Sequence, residues 1–371
     1  MSSPLIEGLS RMAGDENSAP PLVLVTGATG YIGGRLIPEL LALGYRVRVL
    51  VRDKNRIGQN TWFGNVSIVD GDAADSKVIE KALESVDIAY YLMHSLMVKD
   101  NFEEVETSTA RLFAAAAADA RVKRIVYLGG IVSDVKELSP HMSARANTGQ
   151  ILLDSGVPTI ELRAGVVIGS GSASFEMLRY LTERLPIMTT PKWVKNRIQP
   201  IAVRDVLRYL VGAAAIDTKI SGVFDIGGPD VFSYAEMMQS YARVAGLRRR
   251  IIIPVPVLTP RLSSGWVGLV TPVPYTLAKR LVGSLKHEVV AQPSNINELI
   301  PLPKQGLTSF DTAVKLALAK IKDARVETRW SNASVPGTPS EPLPTDPDWA
   351  GGSLYRDVRK LKSEVGLDET W

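Results

Sequence analysis

Apolar and polar positions are most sharply ordered near the start of the chain. Leu22 to Val25 form an unbroken apolar run that stops at Thr26-Gly27, and apolar residues return at Ile32, Leu36, Ile37, Leu40 and Leu41. A short continuous run predicts a buried strand, and recurrence at helical spacing predicts an amphipathic helix. The alternation continues with strands at 46–51, 66–69, 87–92, 124–128 and 159–167, and helices at 76–83, 107–120 and 144–154. Strands and helices alternating at short spacing imply an α/β architecture, a doubly wound parallel sheet with helices on both faces. The second half is less regular. Helices are predicted at 175–185, 204–214 and 234–245, a short strand at 223–226, and helical periodicity again at 307–321. The proline-rich, apolar stretch 251–274 suits loops packed over a pocket.

These elements divide the chain. Residues 1–20 are polar, contain no apolar stretch of signal-peptide length, and read as a disordered leader. Residues 21–330 form one α/β domain, with a small C-terminal lobe drawn mainly from 170–325. From 331 onward, five prolines between Pro336 and Pro347 mark a linker to a short tail. In that tail Leu354, Val358, Leu361 and Val365 share one helical stripe.

Composition narrows the chemistry. The 371 residues are 45% hydrophobic and 22% charged, ordinary for a globular protein. With no cysteine, disulfides, thiolate metal sites and cysteine nucleophiles are excluded, and three scattered histidines do not suggest a metal site. A formal net charge of +4, with no dense basic run beyond Arg248–Arg250, argues against nucleic acid as a partner. The longest apolar region, 251–281, is interrupted by five prolines and by Arg261, Lys279 and Arg280, so it makes a poor transmembrane span. Cytoplasmic residence follows as the expectation. The oligomeric state is not readable.

The turn after the first strand carries the strongest chemical signal. Glycines recur at 27, 30 and 33 between strand and helix. Gly27 permits the tight turn, Gly30 lets a pyrophosphate approach the backbone, and Gly33 lets helix and strand pack closely. The helix N-terminus then offers its N–H groups to the phosphates.

The residues Thr26-Gly27-Ala28-Thr29-Gly30-Tyr31-Ile32-Gly33, Val51-Arg52-Asp53, Gly71-Asp72, Ile198–Val206 and Asp225–Pro229 together resemble an extended short-chain dehydrogenase/reductase of the divergent, NmrA-like branch. The resemblance spans about 21–325 and implies a Rossmann fold that binds NAD(P). The chain is also similar to the nucleotide-binding accessory subunit of respiratory complex I. The tail looks like the opening of a START-like domain, as if that domain were cut short.

Within this resemblance, Thr26, Gly27, Thr29, Gly30, Tyr31, Ile32 and Gly33 would surround the cofactor. An NAD enzyme of this kind ends its second strand in an acid that binds the ribose 2′-OH. Here the position is Val51, followed by Arg52 with Lys54 and Arg56 close by. Cations there suit a 2′-phosphate, so NADP(H) is favoured and NAD(H) remains open. The other reading makes Arg52 and Lys54 ordinary surface charges. Asp72 falls where the family contacts adenine, or it is a simple turn aspartate.

The catalytic positions depart from the family. Its tyrosine falls on His141, its lysine on Arg145, and its serine on the hydroxyl-free pair Gly129-Gly130, with Ser133 a few residues on. Either His141 is an acid/base beside the Arg145 cation, or it is a surface residue that catalyses nothing. His94, just past the fourth strand, is a second acid/base candidate or a loop histidine, and Tyr91 is a possible phenol or a buried strand residue. On the substrate side, Gly169–Ser174 either offers backbone donors to a ligand or is a flexible turn. Lys192, Lys195 and Arg197 either hold an acidic group or form a solvated face. The apolar 251–274 stretch with Trp266, beside Arg248–Arg250, fits an apolar substrate, core packing, or peripheral contact with an anionic membrane surface. Two function classes result: an NADP(H)-dependent oxidoreductase of an apolar carbonyl or alcohol, and a non-catalytic NADP(H)-binding sensor or assembly protein.

Overall fold

A computed structural model of the protein describes residues 9, 19–58, 60–93, 102–132, 138–255 and 287–323. Strands β1 (Leu22–Thr26), β2 (Arg46–Val51), β3 (Val66–Asp70), β4 (Ile88–Tyr91), β5 (Arg124–Gly130) and β6 (Thr159–Ala164) lie in one sheet with β11 (Gly222–Ile226). Their spatial order is β11-β6-β5-β4-β1-β2-β3, and every pairing is parallel. Helices α1 (Gly33–Ala42) and α6 (Val203–Ala213) bury Leu36, Ile37, Val206 and Leu210 against one face. Helices α2 (Ser76–Leu83), α3 (Phe102–Asp119) and α4 (Pro140–Leu153) bury Ile79, Phe113 and Leu152 against the other. This is the doubly wound sheet that the alternation predicts. The winding reverses between β1 and β4, so their carboxyl ends open the crevice where such sheets bind ligands.

A second core forms at that carboxyl edge. It joins Ile131, just past β5, to α5 (Ala173–Arg184), α7 (Tyr234–Val244) and the last helix, Phe310–Lys322. Three small sheets lace it: β7 (Val167–Ile168) with β10 (Ile201–Ala202), β8 (Ile187–Pro191) with β13 (Ile251–Val255), and β9 (Arg197–Ile198) with β12 (Phe232–Ser233).

Two expectations change. The strand expected over 159–167 leaves the main sheet at Ala164. Gly165 passes so close to Val289 and Gln199 that a side chain would be crowded, and Val167–Ile168 pairs with β10 instead. The start of the expected loop at 251–274 is a strand, because Ile251–Val255 finds a parallel partner in β8. The rest of that loop, Trp266 included, lies outside the described residues, as does the 331–371 tail. Of the expected leader, Leu9 is described and packs against the first core.

Candidate functional site

The glycine turn is shaped by what surrounds it. Gly27 has φ +69°, and a Cβ there would lie 2.4 Å from the Leu92 carbonyl oxygen beyond β4. Gly33 packs against the Gly27 carbonyl, which a Cβ would meet at 2.3 Å. Around Gly30 the added atom would meet only the Gly27 carbonyl, at 3.0 Å. Two glycines therefore press β1, β4 and α1 together, and the third leaves the outer side of the turn open. No side chain caps α1 at Ile32, and its first turn carries no acid of its own. Thr29, Gly30, Tyr31 and Ile32 are half-buried around this opening.

Thr26 has a different part from the contact expected of it. Fully buried, its hydroxyl donates to the Tyr90 carbonyl at 2.9 Å and accepts the Leu92 N–H at 3.0 Å. It fixes the turn by stitching β1 to β4. Tyr31 lies beneath the Arg35 guanidinium, 4.7 Å from ring centroid to carbon, and its hydroxyl fills the space that a side chain on Gly169 would need. Arg35 in turn donates to the Ser170 carbonyl at 2.9 Å.

Arg52 stands exposed just beyond β2, with no hydrogen bond or ion pair among the described residues. Asp53 is occupied locally, accepting the Asn55 N–H at 2.9 Å to cap a short helical turn. Asp72 is exposed beyond β3 and accepts the Ala74 N–H at 3.0 Å, which is the geometry of a turn aspartate. The ends of β2 and β3 lie side by side, with Val51 opposite Asp70, so Arg52 and Asp72 share the sheet edge with the glycine turn.

Across the crevice, Arg145 on α4 donates to the Leu128 carbonyl at 2.8 Å and lies near Gly130. With Tyr91, Met93, Glu106, Tyr127 and Thr148 it lines a hollow of about 10 Å³. His141 is the second residue of α4 and is 8% exposed, so it is not the surface residue that one alternative made it. It precedes Arg145 by four positions, on the same side of the helix. His94 and Ser133 lie outside the described residues. Tyr91 is a buried strand residue, packed edge-on against Phe113 at 5.0 Å and Tyr127 at 6.0 Å. Burial raises both phenols, Tyr91 far above the usual range, where Tyr127 and Glu106 add to the effect, and Tyr127 to about 12. Both keep their protons at neutral pH.

One participant goes unnoticed in the sequence. Glu161 on β6 is 1% exposed and pairs with Arg163 at 2.8 Å. Its carboxylate fills the space beside two glycines: a Cβ on Gly129 would lie 2.7 Å from it, and one on Gly149 at 2.3 Å. Burial raises its pKa, and Arg163 partly offsets the rise. Glu161 thus crowds any side chain at Gly129, whereas Gly130 next to it has room. The only sequence signal was the glycine spacing around a strand carboxylate.

The Gly169–Ser174 run is an ordered turn. Ser172 donates to the Val167 carbonyl at 2.8 Å, and the Gly171 N–H donates to Glu176 at 3.2 Å. Lys195 and Arg197 line a separate cleft of about 430 Å³ with Val231, Phe232, Ser233 and Glu236. Of the three consecutive arginines, Arg248 and Arg249 are exposed, whereas Arg250 turns inward to the Thr182 carbonyl at 2.8 Å.

Residues 20–148 match the model of the NmrA-like family. Among curated proteins, the chain is 25% identical over 266 residues to a ceramide reductase of Caulobacter vibrioides, covering 70% of this chain and 82% of that protein. It is 25% identical over 244 residues to the 40 kDa mitochondrial subunit of NADH-ubiquinone oxidoreductase from Neurospora crassa, covering 64% of each. It therefore spans a little under two thirds of that subunit. Among solved structures, a triphenylmethane reductase of Citrobacter complexed with NADP(H) superposes with a TM-score of 0.62 at 20% identity, covering 80% of this chain and 99% of that one. The Bordetella bronchiseptica enzyme WbmG in complex with NAD gives 0.64 at 15% identity, covering 85% and 98%. These structures share the Rossmann-type NAD(P)-binding fold.

Proposed function

We propose that the chain is an NmrA-like, divergent member of the short-chain dehydrogenase/reductase superfamily and acts as an NADP(H)-dependent oxidoreductase of an apolar carbonyl or alcohol. The observation that carries this reading is the glycine turn, closed on its inner side by Gly27 and Gly33 and open at Gly30, with the exposed Arg52, unpaired among the described residues, on the adjoining strand end. An uncharged strand end followed by a free guanidinium supports a 2′-phosphate through charge-assisted hydrogen bonds. The nicotinamide, once bound, supplies the hydride chemistry.

The protein's own share is to bind, orient and move a proton. Arg145, held by its bond to the Leu128 carbonyl, is the fixed cation of this reading. His141, one turn earlier on α4, is the acid/base of this reading, and His94 is the second candidate. The ceramide reductase relative supports an apolar, lipid-like substrate.

A second reading, a non-catalytic NADP(H)-binding sensor or assembly protein, is favoured by one observation. Glu161 crowds Gly129, one of the two positions on which the family's serine falls, and relatives include a subunit of NADH-ubiquinone oxidoreductase.

Titration with NADPH and NADH, followed by turnover against long-chain ketones, quinones and ceramides, tests both. The oxidoreductase reading expects NADPH to bind more tightly, and turnover that His141→Ala or the corresponding His94 variant abolishes. Binding without turnover would transfer support to the sensor reading. Loss of one charged hydrogen-bond partner is worth about 1.5–3 kcal/mol, so Arg52→Glu should weaken NADPH roughly ten- to a hundredfold and leave NADH nearly unchanged. Equal weakening of both nucleotides would sink the assignment of Arg52 to the 2′-phosphate.

A further inference from the structure

The two-stranded sheet of β8 and β13 presents an unusual outer surface. Its strands run parallel, with Ile251 opposite Ile187 and Ile253 opposite Thr189. Met188 and Thr190 are buried, and Met188 and Ile252 pack into the second core. Alternation therefore turns Ile187, Ile251 and Ile253 outward, where they are 60%, 53% and 47% exposed. In a solvated sheet these outward positions are normally polar. A single exposed aliphatic residue is ordinary, but three side by side on one small sheet indicate a contact surface.

The surrounding charge indicates what that surface meets. Arg248 and Arg249, exposed, lie immediately before β13. From Met237 to His287 the chain carries eight Lys and Arg residues and no Asp or Glu, although the whole protein has a net charge of only +4. Aliphatic side chains beside exposed cations, with no acid in the long stretch around β13, match an anionic bilayer surface: the apolar groups enter the headgroup boundary and the cations meet phosphates. A second copy of the chain fits less well, because a two-fold pairing through this face would bring arginines together.

We propose that the β8–β13 face, with Arg248 and Arg249, docks the protein on anionic membranes and so brings the second lobe to a lipid-phase substrate. The delivery of substrate rests on the oxidoreductase reading above; the docking does not.

The test is co-sedimentation of the full chain, without nucleotide, with vesicles of phosphatidylcholine alone and of equal parts phosphatidylcholine and phosphatidylglycerol. Binding to the anionic vesicles should weaken with salt. The triple variant Ile187→Ser/Ile251→Ser/Ile253→Ser should lose binding to both vesicle types. Charge reversal in Arg248→Glu/Arg249→Glu should lower anionic binding about tenfold or more, given roughly 1 kcal/mol per basic residue at such a surface. Thermal midpoints and NADPH titrations in the absence of vesicles check that both variants stay folded, and they report on the nucleotide reading separately. If the serine variant does not fold, the arginine variant decides alone. Docking is overturned if the wild type ignores anionic vesicles or if binding is indifferent to the variants. It is also overturned if the serine substitutions instead abolish a concentration-dependent dimer, which would make the face a self-interface.

Discussion

Gly149 lies within α4, where replacement by alanine ordinarily stabilises a helix by about 1 kcal/mol. Here the sign reverses, because the new methyl would press on the buried Glu161 carboxylate at 2.3 Å. Gly149→Ala should therefore cost about 1–3 kcal/mol, the usual penalty of overpacking. Urea denaturation measures it, and combining Gly149→Ala with Glu161→Ala should recover part of the loss, since the two sites share one space. A neutral or stabilising Gly149→Ala would show that the carboxylate is not where this packing puts it. The contrast with Gly27, Gly30 and Gly33 is instructive. Those glycines are legible because strand, turn and helix frame them in sequence, whereas Gly129 and Gly149 are explained only by a carboxylate from a neighbouring strand.

At the scale of elements, helix ends are held by contacts near and far. Ser233 and Glu236 form a reciprocal box at the start of α7: the Ser233 N–H donates to Glu236 at 2.6 Å, and the Glu236 N–H donates to the Ser233 hydroxyl at 3.2 Å. These bonds from Ser233 lower the Glu236 pKa below its usual 4.5. A carboxylate depressed on folding adds stability that is present above its unfolded pKa and lost as pH falls through the folded one. The difference in thermal midpoint between wild type and Glu236→Gln should therefore be positive near neutrality and shrink below about pH 4.5. Ser233→Ala should cost about 1 kcal/mol, and a difference independent of pH would refute the box. Long-range ends are harder to read. Arg48 on β2 donates to the Ala82 carbonyl at 2.9 Å and to that of Glu84 at 2.7 Å, and so closes α2. Arg124, fully buried on β5, holds the segment that follows α6 through the carbonyls of Ile216, Asp217 and Ile220. Periodicity recovers β2 and α2 to the residue, because local pattern decides both. It starts α4 at 144 although Ser139 and Pro140 are a cap and a first-turn proline, a signal present in the sequence but outweighed by the polar residues that follow. It misses β13, because that strand depends on a partner more than sixty residues away.

At the scale of the molecule, the second lobe is joined to the glycine turn through α1. Arg35, in its first turn, holds the Ser170 carbonyl, and Tyr31 packs on Gly169, so the helix proposed to face the phosphates also grips the loop after β7. A further tie lies at the start of α6, where Asp205 accepts the Thr308 N–H at 2.8 Å and so anchors the segment leading into the last helix. A ligand that orders α1 and its preceding turn must therefore order the 169–172 loop as well, because a ligand that binds only the ordered form shifts every group coupled to it. Hydrogen exchange with and without NADPH reads this directly. Protection should rise over 27–36 and also over 169–172, where no phosphate contact is expected. In Arg35→Ala the first protection should persist while the second falls toward its nucleotide-free level. If 169–172 gains the same protection in the variant, the nucleotide reaches that loop by its own contacts, and α1 is not the link between cofactor and substrate lobe.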